Sequence, residues 1–219
     1  MHARLIAPVL GLAMMVGCSS PGYKKAETTN SSLGDVKSEL ITDKTTLTAA
    51  VNDLNDLIYN PKNNLKPQYE KFAAEVTALQ KAQVSSRKSA RNLVADREAY
   101  LSKWKADTAT QTDPDIRMRS IERIKQVEND FFALGDTLIA ADNALAPLVN
   151  DLDSLKKYLG NDLTAAGIKN VSDLATNAKN KSITVNGQID KAIVEVDKVS
   201  NAIAPMPTTA PSDPAPATP

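Results

Sequence analysis

Between Ile124 and Leu159, apolar residues recur in alternating steps of three and four: Ile124, Val127, Phe131, Leu134, Leu138, Ala141, Leu145, Leu148, Leu152, Leu155 and Leu159. At 3.6 residues per turn, such a stripe keeps to one face of a helix and needs a supercoiled partner to bury it. Asp113-Pro114 reads as an N-cap followed by proline at the first helical position, where the missing N–H costs nothing. The pattern predicts a helix over 114–159, roughly 70 Å long at 1.5 Å per residue. Pro147 lies inside the register, so a kink without a break is expected there. A rod of this length cannot bury its own stripe.

Three further segments supply partners. Leu33, Leu40, Leu47 and Leu54 recur at seven, with Val36, Ala50 and Leu57 in the second seam position and Asp43 interrupting it; this predicts a helix over 33–59. A second helix, 68–109, carries Tyr69, Phe72, Val76 and Leu79 at one end and Ala90, Leu93, Tyr100, Leu101 and Trp104 at the other, with polar Gln83 and Ser86 between. A last helix, 169–203, repeats Val171, Ala178, Val185, Ala192 and Val199, joined by Leu174, Ile189, Val196 and Ile203. Pro61 and Pro67 bracket the first turn, because proline disfavours helix in the residue before it. Gly160 stands where a left-handed cap would end the third helix, and 162–167 reads as a short helical or turn segment. Short turns favour antiparallel neighbours. The fold expected is all-α, an elongated antiparallel four-helix bundle or coiled coil over 33–204. From Pro205 to Pro219 six of fifteen residues are proline, which predicts an extended tail of polyproline character.

The N-terminus reads as an address. Met1-His2-Ala3-Arg4 is a short positive start, and Leu5 to Gly17 is an uncharged apolar run too short to span a bilayer, which takes roughly 20 residues. It ends Met15-Val16-Gly17-Cys18-Ser19, which resembles a bacterial lipobox, although Met15 replaces the usual leucine. The expectation is a lipoprotein signal peptide over 1–17, Cys18 carrying acyl chains such as palmitate, and a lipidated N-terminus and linker over 18–32. Two or three acyl chains anchor a protein nearly permanently, at about 0.8 kcal/mol per buried CH₂. Ser19 in place of the aspartate of inner-membrane retention points to the outer membrane, facing the periplasm.

Charge follows a pattern of its own. From Lys81 to Lys125 there are eleven basic and six acidic residues, and from Gln126 to Leu159 two and six. This predicts a rod with a basic end near the anchor, where Lys24, Lys25, Arg117, Arg119 and Arg123 are candidates for contact with an anionic surface.

Catalytic chemistry finds little to use. The only histidine is His2, the only cysteine is Cys18, and eight glycines make no phosphate-cradling loop. No enzyme activity, cofactor or metal site is expected. Nucleic acid is a poor partner for an exported chain of balanced charge. Tyr100 and Trp104 are read as bundle packing in preference to a sugar platform.

The order Tyr69-Glu70-Lys71-Phe72, Tyr100-Leu101, Trp104, Arg117, Arg119-Ser120, Arg123, Pro147-Leu148, Asp151-Leu152 and Asp162-Leu163-Thr164 resembles a bacterial family of unknown function, over roughly Tyr23 to Ile203. Its members resemble this chain in being predicted helical lipoproteins, and the resemblance implies no activity. The expected role is that of a non-enzymatic envelope lipoprotein. It is held on the membrane by acyl chains and presents surface to an envelope protein or cell-wall partner. The alternatives are a periplasmic binding module, taking a small hydrophobic or saccharide ligand where helices splay around Pro147, Trp104 and the small-residue fourth helix, and a modulator of a cell-wall enzyme.

Overall fold

The heptads build the helices that their spacing demands. A computed structural model describes residues 21–204, in which α1 (Pro21–Tyr59), α2 (Lys66–Ala109), α3 (Pro114–Asn161), α4 (Ala165–Asn170) and α5 (Ser172–Ile203) follow one another with no strand among them. The expected signal peptide, Cys18 and the proline-rich tail lie outside the described residues.

The four long helices form a ring in which α1 packs on α2, α2 on α3, α3 on α5 and α5 on α1, leaving the two diagonals without substantial contact. Cross-helix pairs give the direction of each neighbour. Lys37 bonds Asp197 and Lys44 bonds Asp190 between α1 and α5, so higher numbers on one helix meet lower numbers on the other. Lys71 with Asp53, Arg87 with Asp142 and Lys181 with Asp151 do the same around the ring. Every adjacent pair is antiparallel, the up-down-up-down order that short turns favour. The start of α1, the α2–α3 turn and the end of α5 share one end, here the near end; the α1–α2 turn and α4 form the far end.

The seam of α3 is buried as its spacing requires, from Ile124 through Val127, Phe131 and Leu134 to Leu155 and Leu159, with Leu138 half-buried. The helix runs unbroken through Pro147. Pro147 and Asn143, whose carbonyl loses its i+4 donor, are both exposed, on the solvent side of the helix. Asp113 caps this helix as expected, its carboxylate accepting from the backbone N–H groups of Asp115 at 2.9 Å and Ile116 at 3.0 Å.

Four expectations need correction. The linker over 18–32 is helical from Pro21 onward, and α1 starts twelve residues before Leu33. Ala26 and Thr29 occupy the two seam positions one heptad earlier, both buried, and Thr29 satisfies its hydroxyl on the carbonyl of Lys25 at 2.9 Å. In the last segment α4 and α5 are separate helices, divided at Val171, where one helix over 169–203 was expected. Thr164 starts α4 by accepting from the N–H of Gly167 at 3.0 Å. Leu174 is half-exposed, and Ala175, Ser182, Ile189, Val196 and Ile203 form the second seam row of α5. Finally, Gly160 is an ordinary helical residue within α3, with no positive φ. Its hydrogen is needed for another reason: a Cβ there would sit 2.5 Å from the Tyr69 hydroxyl, which donates to the carbonyl of Lys156.

The far end is closed. Gln68, buried, ties the first turn by accepting from the N–H of Lys62 at 3.0 Å and donating to Asp56 at 2.7 Å and to the carbonyl of Asn60 at 3.1 Å. Buried Ile168 of α4, with Leu65 and Leu163 packed against the core, closes it over.

Candidate functional site

The antiparallel order gathers Lys24, Lys25, Arg117, Arg119 and Arg123 at the near end, but it does not leave them equivalent. The first four are exposed and make no ion pair among the described residues. Arg123 is engaged: it donates to the carbonyl of Ala202 at 2.6 Å and to Gln126 at 2.9 Å, holding the last turn of α5. A cation at a helix C-terminus satisfies carbonyls that have no intrahelical donor.

Around Arg117 and Arg119 three apolar side chains stand uncovered: Ile116 at 51%, Met118 at 56% and Ile121 at 43% exposure. The sequence reading passed over them because they fall outside the seam. Trp104 and Tyr100, with ring centroids 5.7 Å apart, pack on the inner side of the same hairpin. The Trp104 indole donates to Ser120 at 3.0 Å, and Ser120 shares a 2.7 Å hydrogen bond with Thr108. This network joins α2 to α3. Trp104 is level with Ser120 toward the near end and Pro147 lies toward the far end, so the two do not line one site.

The charge asymmetry also differs from expectation. The basic stretch of α2 lies beside the acidic stretch of α3, so Arg87 pairs with Asp142 at 2.8 Å and Lys105 with Glu128 at 2.5 Å. Folding turns a gradient along the sequence into pairing across the bundle. At the near end itself Asp107 is engaged by Lys103, Asp113 is committed to its cap, and Asp115 and Glu122 stand among the arginines.

A second feature is a polar layer at the waist. Asp43 occupies a seam position of α1 and is 2% exposed, with one carboxylate oxygen lacking any hydrogen-bond partner. Burial pushes its carboxyl up to about 6; a hydrogen bond with Ser86 opposes the rise, Glu39 and Asp142 add to it, and Arg87 opposes it. Gln83 donates to Asp142 at 3.3 Å and Ser85 to Glu39 at 2.8 Å. Beside this layer lies a cavity of about 320 Å³, lined by Leu40, Asp43, Ala90, Leu138, Ala141 and Asp142. Polar seam residues fix register at a cost in stability. The sequence signal for this layer was Asp43 itself, a carboxylate in an otherwise apolar heptad.

Among the described residues no group of three or more His, Cys, Asp or Glu is placed to hold a metal ion. By length and composition α3 is apolar enough to cross a membrane. Its apolar stripe, however, is already occupied by the bundle seam. No curated protein and no solved structure matches the chain. A family model does match, over residues 17–203, a span that takes in Cys18 and all five helices. The chain therefore belongs to the family described as protein of unknown function (DUF2959).

Proposed function

We propose that this protein is a non-enzymatic lipoprotein of the bacterial cell envelope, acylated on Cys18 and standing in the periplasm as a rod whose far end meets an envelope protein or the cell wall. The observation that carries the reading is the junction of two features: a lipobox-like Gly17-Cys18-Ser19 and a helix that starts at Pro21. Two residues separate the acyl site from a bundle whose α1 alone is 39 residues, about 58 Å at 1.5 Å each. Such a chain is built to hold a surface at a distance. The far-end turns support the same reading, since Asn63 and Asn161 are exposed there above a closed core.

The test has two arms. Mass spectrometry of the N-terminal peptide from cells should find diacylglycerol and acyl chains on Cys18, and Cys18→Ser should release the protein from membranes. Photo-crosslinkers at Asn63 and Asn161 should capture a defined protein or wall fragment. An unmodified Cys18, or crosslinks to lipid alone, would overturn the proposal.

A second reading, a binding module for a small hydrophobic ligand, draws on the waist cavity. At about 320 Å³ it lies at the lower end of ligand pockets. A ligand-specific rise in melting temperature that Leu138→Trp abolishes would favour it.

A further inference from the structure

We propose that the α2–α3 turn is a second membrane-contacting element, with Ile116, Met118 and Ile121 entering a lipid surface end-on. The placement rests on the anchor reading above; the chemistry of the tip does not. The first observation is an overhang. Arg123 reaches the carbonyl of Ala202, one residue short of the end of α5, so the nine residues of α3 before Arg123 run past α5, about 14 Å. Residues 111–119 are exposed without exception. Nothing of this chain's described part covers them.

The second observation is how the apolar groups are arranged. At 100° per residue, Ile116 and Met118 lie roughly 160° apart around the helix, and Ile121 roughly 60° from Met118. A protein partner docking sideways would be met by one stripe. Apolar side chains spread around a helix end suit an isotropic apolar medium entered tip-first. Arg117, Arg119 and Lys125, all exposed, alternate with them, and long cationic side chains lay their stems along apolar surface while the heads reach phosphates. Asp115 and Glu122 keep the local net charge small, so apolar insertion supplies more of the attraction than charge.

The third observation is where the chain outside the structure leaves it. A Cβ on Gly22 would lie 3.9 Å from the Asp107 carboxylate, which places the first turn of α1 beside the last turn of α2. From Pro21, already past the end of α5 because Asn30 is level with Ser200, the chain to Cys18 spans at most about 11 Å more. An acylated Cys18 is thus within reach of the plane of the α2–α3 tip.

The chain beginning at Ser19, which keeps every described helix, lacks the acyl site and isolates the tip. It should float with vesicles of phosphatidylethanolamine and phosphatidylglycerol, with only partial loss of binding at high salt. The triple variant Ile116→Ser, Met118→Ser, Ile121→Ser should bind at least about tenfold more weakly with an unchanged melting temperature. A control carrying Val84→Ser and Ile183→Ser, at exposed apolar positions elsewhere, should bind as the parent does. No vesicle binding, equal loss in the control, or self-association that the triple variant removes while vesicles have no effect would each overturn the proposal. Acylated Cys18 with a vesicle-indifferent tip sinks this inference and spares the anchor; unacylated Cys18 with a binding tip does the reverse.

Discussion

The two ends of the bundle are built on different terms. At the far end the chain spends α4 and Gln68 on closing the seam, and Phe72, Val76, Leu79, Leu155 and Leu159 are almost wholly buried nearby. Both ends expose large apolar side chains, Tyr59 and Leu174 at the one and Ile116, Met118 and Ile121 at the other, but at the near end no such closure exists among the described residues, and residues 111–119 are exposed without exception. Between them the waist substitutes a carboxylate layer and a cavity for apolar packing. The far end reads as the stable half, and the near end as surface reserved for something outside the bundle.

Substitution at each end should sharpen the contrast most. Phe72→Ala removes a fully buried ring and should cost about 3–5 kcal/mol in urea denaturation, whereas Ile116→Ser should stay within about 0.5 kcal/mol. Comparable losses at both sites would break the comparison.

The waist should respond next, through pH. Asp43 titrates near 6 in the folded chain against 3.8 ordinarily, so between these values the folded state holds a proton that the unfolded state has released. Its contribution is most favourable below about pH 4, declines as pH rises through 6, and is a full penalty above that, on the order of 2–3 kcal/mol. Asp43→Asn should flatten that slope and raise the melting temperature at pH 7.5. Asp153, in the far half, runs oppositely: hydrogen bonds from Lys156 and Lys157 lower its carboxyl to about 2. Its stabilisation is present above about pH 4 and fades as pH falls toward 2, a window in which Asp153→Asn alone should change the profile.

The smallest effect separates two glycines of α3. Gly135→Ala meets nothing within 4 Å and should stabilise by about 0.5–1 kcal/mol, the ordinary helix gain. Gly160→Ala meets the Tyr69 hydroxyl at 2.5 Å and should forfeit that gain. Thermal melts of the pair decide it.

The long helices were legible because period and punctuation agreed: the stripe from Ile124 to Leu159 is the buried seam, and Asp113-Pro114 is the cap it resembled. Misreadings arose where small or polar residues hold seam positions. Ala26 and Thr29 carry too little apolar signal to mark the start of α1, and Ala175 hid behind the larger Leu174. The candidate site was half legible. Proximity of Lys24, Lys25, Arg117 and Arg119 followed from antiparallel order, but the bond from Arg123 to Ala202 depends on where two helices stop relative to each other. The same unknown concealed Ile116 and Met118, since an apolar residue outside a heptad says nothing until the neighbouring helix is seen to end short of it.

The early start of α1 has a mechanical meaning. With only residues 19 and 20 between Cys18 and Pro21, a lipid-held chain would have almost no leash. The bundle could pivot but not wander, and its outermost turns would sweep a shell of nearly constant radius, roughly 60 Å from the acyl site. A partner would then be selected by its distance from the anchor as much as by chemistry.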